Sequence, residues 1–289
     1  MAQRKLISFD WAMKKLLRSK ANFEILEGFL SELLKENITI LELLESESNK
    51  EDARDKFNRV DLKVTNQKKE ILIIEVQYDR EFDYLQRILF GTSKVITEHL
   101  QESDPYSKVA KVISINILYF DLGHGDDYVY HGTTSFRGIH GQDLLELSDE
   151  QRELYGKKNL HEIFPEYYLI KVNKFDDIAK DTLDEWIYFL KNEEIKNDFK
   201  AKGIKKAKQE LDILKLSEEE RRAYERYQDD LHYQASIVES SYTIGVKKGE
   251  DRKALQIAMN LIKKGVLDAQ EIAELTDVPV EEIENLRNQ

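Results

Sequence analysis

The most constraining stretch of the 289-residue chain runs from Asn58 to Gln77, NRVDLKV-TNQKK-EILIIEVQ. Residues 58–64 and 70–77 are rich in Val, Ile and Leu, and the run Asn66-Gln67-Lys68-Lys69 is the polar break between them. This predicts two β-strands joined by a tight polar turn. Each predicted strand is interrupted by an acid: Asp61 between Val60 and Leu62, Glu75 between Ile74 and Val76. Folding the hairpin about its turn sets the two acids nearly opposite one another. Side chains alternate faces along a strand, so Glu75 and Gln77 share a face. Asp61 joins them if the register, open by one residue, places it there. Acids flanked by β-branched residues are costly to bury without a partner. A hard divalent cation is one such partner. The alternative is that both acids lie on a solvated face, or pair with Lys63 and Arg59.

Composition narrows the classes. The chain is 41% hydrophobic and carries no cysteine, so disulfides, zinc–thiolate sites and thiol nucleophiles are excluded. No apolar run approaches the roughly 20 residues of a membrane span. The opening MAQRKLISFDW lacks the long apolar segment of a signal peptide, and a cytoplasmic protein is expected. A net charge of −12 argues against passive, high-affinity binding of nucleic acid. It leaves room for an enzyme that grips phosphate locally through a metal and a few cations.

Around the hairpin the pattern is mixed α/β. Asp10 and the run Trp11–Leu17 predict a first helix. Asn22 is a candidate cap for a second, in which Phe23, Leu26, Phe29, Leu30, Leu33 and Leu34 recur at helical spacing. Residues 38–50 begin as a strand and turn acidic. A helix follows Gln77, with apolar Phe82, Leu85, Ile88, Leu89, Val95 and Ile96. Lys111–Leu122 is apolar on both faces and is expected at the centre of a sheet. GHGDD (123–127) reads as a turn rather than a metal motif, with a strand after it. A further strand enters after Pro165, and Thr182–Glu194 is an amphipathic helix with Leu183, Trp186, Ile187 and Leu190 inward. The domains expected are 1–197, a charged helical region at 198–264 that contains a capped helix start at Ser217-Glu218-Glu219-Glu220, and a tail of two short helices at 265–289. The tail loosely resembles a helix-turn-helix, but Glu281, Glu282 and Glu284 would meet phosphate with the wrong sign. The C-terminal third therefore reads as a self-association or regulatory module, and a homodimer or higher homo-oligomer through it is expected.

RVDLKV followed by IIEVQ resembles the Asp…Glu-x-Lys core of the PD-(D/E)XK nucleases, with Gln77 in the usual lysine position. More narrowly it resembles the recombination-promoting nucleases (Rpn), also called PD-(D/E)XK-family transposases, in which Glu-x-Gln is common at this place. The opening FDWAMKKLL and the helical tail strengthen the likeness, which extends over Phe9–Leu100 and the Lys111–Leu122 strand. The resemblance implies a restriction-endonuclease-like core, a mixed sheet flanked by helices, with an α-helical C-terminal region. It also implies a metal-dependent DNA endonuclease of the recombination-promoting, transposase-related type, acting in mobile-element or phage-defence biology. Asp61, Glu75 and Gln77 would be catalytic. Mg²⁺ or Mn²⁺ would lie on Asp61, Glu75 and the main-chain carbonyl of Val76. Asp10 is a further candidate ligand and Glu27 a weaker one; for each, a helix-end or surface role is the alternative. Arg87 is placed to contact phosphate or to bridge to an acid, and Lys14, Arg54, Lys56 and Arg59 are other cations near the site. A catalytically silent nuclease-fold interaction protein, or a nuclease acting on RNA, are the other classes that the residues leave open.

Overall fold

The computed structural model describes residues 6–44, 61–100 and 103–288. The chain divides into two compact units, Met1–Tyr224 and Glu225–Gln289.

The first unit is built on a six-stranded mixed sheet. Its strands are β1 (Ile40–Leu44), β2 (Leu62–Asn66), β3 (Ile71–Gln77), β4 (Val112–Leu118), β5 (Val129–Gly132) and β6 (Glu166–Lys171), in the order β1-β2-β3-β4-β6-β5. The pairs β1–β2, β2–β3 and β5–β6 are antiparallel, while β3–β4 and β4–β6 are parallel. The hairpin forms at Leu62–Asn66 and Ile71–Gln77, and the predicted start of its first strand at 58–60 lies outside the described residues. Asn66 closes that turn: its carbonyl accepts from Lys69 N at 2.9 Å, and its Oδ1 accepts from Lys68 N at 3.0 Å and Glu70 N at 2.9 Å. A side chain that supplies its own turn acceptors is why Asn ends this strand. All seven residues of β4 are buried, as a strand covered on both faces requires.

Helices cover both faces. On one side lies α3 (Tyr84–Glu98), where Val95 packs on Ile71, Ile73 and Val112, and Tyr84 and Ile88 pack on Leu118 and Phe120. The alternate residues Leu72 and Ile74 point the other way and are fully buried. An aromatic cluster joins α1 (Phe9–Lys15), α2 (Phe23–Leu34) and α5 (Thr182–Asn192). Phe9 meets Phe29, Trp186 and Phe189 edge-on at 5.4–6.2 Å. Such rings contribute through buried area and by their edge-to-face geometry. The short α4 (Asp149–Tyr155) is solvent-exposed.

Residues 198–224 also pack on this unit. The start of α6 (Ile204–Glu210) approaches α2 so closely that a Cβ on Gly28 would lie 2.2 Å from the Lys202 carbonyl oxygen. Gly203 has a φ of +75° there, a conformation natural to glycine. Trp186 Nε1 donates to Lys202 O at 3.2 Å, and Tyr224 near the start of α7 (Glu218–Lys264) accepts from Ser8 N at 3.0 Å. Asn22 departs from the expected cap. It precedes α2, but its side chain donates instead to Leu16 O at 3.1 Å.

In the second unit, α8 (Ala269–Thr276) and α9 (Val280–Arg287) close a small core, Ile272, Val278 and Ile283, over Ala258 of α7. No helix among the described residues is long and apolar enough to cross a membrane.

Candidate active site

The register Leu62↔Ile74, continued one step, sets Asp61 opposite Glu75. Asp61 lies just before β2 and reaches across the gap left by the ending strand. Its Oδ2 accepts from Val76 N at 2.7 Å. The Gln77 carbonyl accepts from Tyr119 N on the β4 side. Carbonyls alternate along a strand, so that of Val76 faces the opposite side, toward Asp61. Glu75 and Gln77 share the face of Ile71 and Ile73, the one that α3 covers.

From α1, Lys14 Nζ stands 2.9 Å from each carboxylate oxygen of Asp10 and 3.6 Å from Asp61 Oδ1. Asp10 and Lys14 are one turn apart, so a single helix face presents both. Arg18, one turn further, donates from Nη2 to the Asp61 main-chain oxygen at 3.1 Å. From α3, Arg87 bridges Glu75 and Glu81; its Nη1 lies 2.6 Å from Glu81 Oε1 and its Nη2 bonds Glu75 Oε1. Of its two expected roles, the bridge to acids is the one seen. Gln77 Nε2 donates to Glu81 Oε1 at 3.1 Å and to Asp79 O at 3.2 Å. Behind Arg87, Tyr84 donates from its hydroxyl to Asn116 Oδ1 at 3.2 Å.

The electrostatics follow from this crowding. Among the described residues, these contacts join four carboxylates (Asp10, Asp61, Glu75 and Glu81) to the two side-chain cations Lys14 and Arg87. Burial pushes the Glu75 carboxyl up, Arg87 opposes it, and Asp61 and Glu81 add to it, for a result of about 7. Burial likewise raises the Asp61 carboxyl. Lys14 and the Val76 N–H work against that, and Asp10 with it. Both carboxyls therefore ionise less readily than an exposed acid.

The donor set fits a hard divalent ion. Asp61, Glu75 and the Val76 carbonyl offer only oxygen, which suits Mg²⁺ or Mn²⁺ rather than a thiophilic metal. Among the described residues no three His, Cys, Asp or Glu side chains gather closely enough to hold an ion themselves.

Other expected residues fall elsewhere. Glu27 accepts from Ile40 N at 2.8 Å through Oε1, fastening the start of β1. Lys63 turns from Asp61 to Glu98, 3.5 Å away. Arg54, Lys56 and Arg59 lie outside the described residues. Sequence reasoning passed over Glu81, whose signal was an acid four residues beyond Gln77 at the mouth of the next helix.

Neither the curated proteins nor the solved structures give a match to the chain. A family model described as PD-(D/E)XK nuclease family transposase matches residues 7–241, which include the whole sheet and both acids. The mixed sheet flanked by helices is the fold expected of that family, a nuclease-type function comes with it, and its members generally use divalent metals. The chain thus belongs to the PD-(D/E)XK nuclease family transposases.

Proposed function

We propose that the chain is a metal-dependent DNA endonuclease working at the Asp61–Glu75 hairpin. The observation that carries this reading is the meeting of two part-buried carboxylates with raised pKa, Asp61 just before β2 and Glu75 on β3, with Asp61 held by the Val76 main-chain N–H. Asp61, Glu75 and the Val76 carbonyl would hold Mg²⁺ or Mn²⁺. Asp10 stands behind Lys14 as a further candidate. The bound ion would neutralise charge developing on the scissile phosphate and acidify the attacking water.

The chain's own groups divide the remaining work. The Val76 N–H holds the Asp61 carboxylate in place, and Arg18 pins the Asp61 main chain. Lys14 and Arg87 compensate the acids in the absence of substrate, and each is placed to turn to a phosphate oxygen when DNA arrives. Gln77 can orient water through its amide. It carries no charge and cannot serve as a base, so it positions the nucleophile and does not take its proton. In this reading the protein acts in the cytoplasm, in recombination, mobile-element or phage-defence chemistry. It pairs with a second copy through its helical C-terminal region, since cutting both strands is simplest with two sites.

Cleavage of supercoiled plasmid with Mg²⁺ or Mn²⁺ tests the proposal, with Asp61→Ala and Glu75→Ala beside the unaltered protein. Nicking that needs the metal and is lost in both variants, with circular dichroism unchanged, supports it. Cleavage that survives both substitutions rules the site out. Structured RNA cut in preference to plasmid would move the substrate from DNA to RNA.

A further inference from the structure

Among the described residues the middle of α7 is exposed. Every residue from 232 to 253 is exposed, including Tyr233, Ile237, Val238, Tyr242, Ile244 and Val246. An exposed helical stretch is at best marginally stable in water by itself. This one also carries Gly245 and Gly249, each costing about 1 kcal/mol against alanine inside a helix. Nothing lies within 4 Å of where their Cβ atoms would be. The packing of the described residues therefore gives no reason for either glycine.

Charge along the helix supplies one. Residues 225–239 hold four acids against one arginine, and residues 240–253 hold four cations against two acids. Two copies running parallel would set acid on acid and cation on cation. Running antiparallel about Ser241, they place Asp229 opposite Lys253 and Asp230 opposite Arg252. The same register sets Val238 opposite Ile244 and Ile237 opposite Gly245. The seam 230-234-237-241-245-248-252 steps by three or four residues, as facing helices require. Serine and glycine at its centre permit close approach, and the apolar side chains beside them are covered.

We propose that residues 229–253 of α7 form an antiparallel two-helix seam with a second copy of this chain, its dyad at Ser241. This gives location and direction to the self-association in the functional reading and rests on it. It does not depend on whether the enzyme cuts DNA. A two-fold pairing of this kind is isologous and closes at the dimer. The charge pairs direct register more than they add affinity.

The absence of cysteine makes the test direct. Full-length chains carrying Ser241→Cys, Gln234→Cys or Lys248→Cys would be oxidised mildly at about 10 μM and resolved without reductant, with folding checked by circular dichroism. Sedimentation of the unaltered protein would be measured alongside. Two copies of residue 234 in the antiparallel pair lie about 21 Å apart along the helix at 1.5 Å per residue, beyond disulfide reach. The proposal expects a dimer, a covalent Ser241→Cys dimer, little self-linking of Gln234→Cys, and linking when Gln234→Cys and Lys248→Cys are mixed. A monomer, or Gln234→Cys linking to itself as readily as Ser241→Cys, would overturn it. Plasmid cleavage by the same preparations separates the two claims. A monomer that cuts removes the seam and leaves the nuclease; a Ser241→Cys dimer that does not cut removes the nuclease and leaves the seam.

Discussion

Two clusters of charge lie at opposite ends of the parallel strands, and they differ in how well their acids are matched. Near the end of β3, Asp61 and Glu75 share Lys14 and Arg87 with Asp10 and Glu81, and burial holds both central carboxyls above the usual range. At the start of the strands lie Glu70, Lys111 and Glu166. There Glu166 pairs with Lys111 and, at 3.0 Å, with His131 Nε2; Lys157 lies 3.3 Å from Glu70. Burial pushes the Glu166 carboxyl up as well, but hydrogen bonds and charge from Lys111 and His131 outweigh it, and the net shift is downward. Glu70 and Glu166 are buried, and Asp61 and Glu75 are partly so. Among the described residues the nearby cations outweigh burial at Glu166 but not at Asp61 and Glu75, and that difference, more than the burial, distinguishes a site from a strut.

The largest expected effects fall where the two ends are exchanged. Glu75→Gln abolishes metal-dependent cleavage, by about 100-fold or more. Glu166→Gln leaves cleavage by the folded protein within about twofold, while lowering stability by about 3 kcal/mol because it strands a buried lysine. Urea unfolding beside plasmid assays reads both. If Glu166→Gln lost activity and kept stability, the contrast would fail.

Next in size is a sign difference. A carboxyl raised on folding destabilises the fold when ionised, and that cost is relieved as pH falls through the folded value. With chelator present, Glu75 should therefore stabilise the protein progressively from about pH 8 down toward 5, with Glu75→Gln abolishing that trend. The same variant should be more stable than the unaltered protein at pH 8 by about 1–2 kcal/mol. Glu166 behaves oppositely: its folded value is depressed, so its contribution is present above about pH 4.5 and is lost as pH falls below that. Thermal melts across pH check both directions.

Smaller again, Gln77→Ala should slow cleavage about tenfold, as expected for losing a group that orients water, with substrate affinity little changed. Lys157→Met should cost about 1 kcal/mol in urea unfolding, and nothing in cleavage.

Much of this contrast could be read from sequence on one side. The hairpin showed itself through two apolar runs and a single polar break, and the acids stood out because each interrupted its run. Glu75 and Gln77 share a face by strand alternation alone, and the structure turns that face to α3. What escaped was set by distant packing. Lys14 meets Asp61 only because α1 docks 47 positions away in sequence, as the difference between the two numbers shows. Of the apolar residues expected to mark this helix, Ile88 and Val95 face inward with Tyr84, whereas Leu85 and Leu89 are exposed and Phe82 lies exposed before the helix begins. Glu27 matched an acid on an early helix, but its direction followed the chain's return into β1. The packing of residues 198–224 on the sheet unit depends on a glycine–glycine approach that local charge patterning does not reveal.

The central claim is that the Asp61–Glu75 end is built for a cation. Calorimetric titration of Mn²⁺ into the unaltered protein, Asp61→Asn and Glu166→Gln tests it most directly. The account predicts one saturable site per chain in the unaltered protein and in Glu166→Gln, and none in Asp61→Asn. Equal binding by all three, or no binding by any, would contradict it.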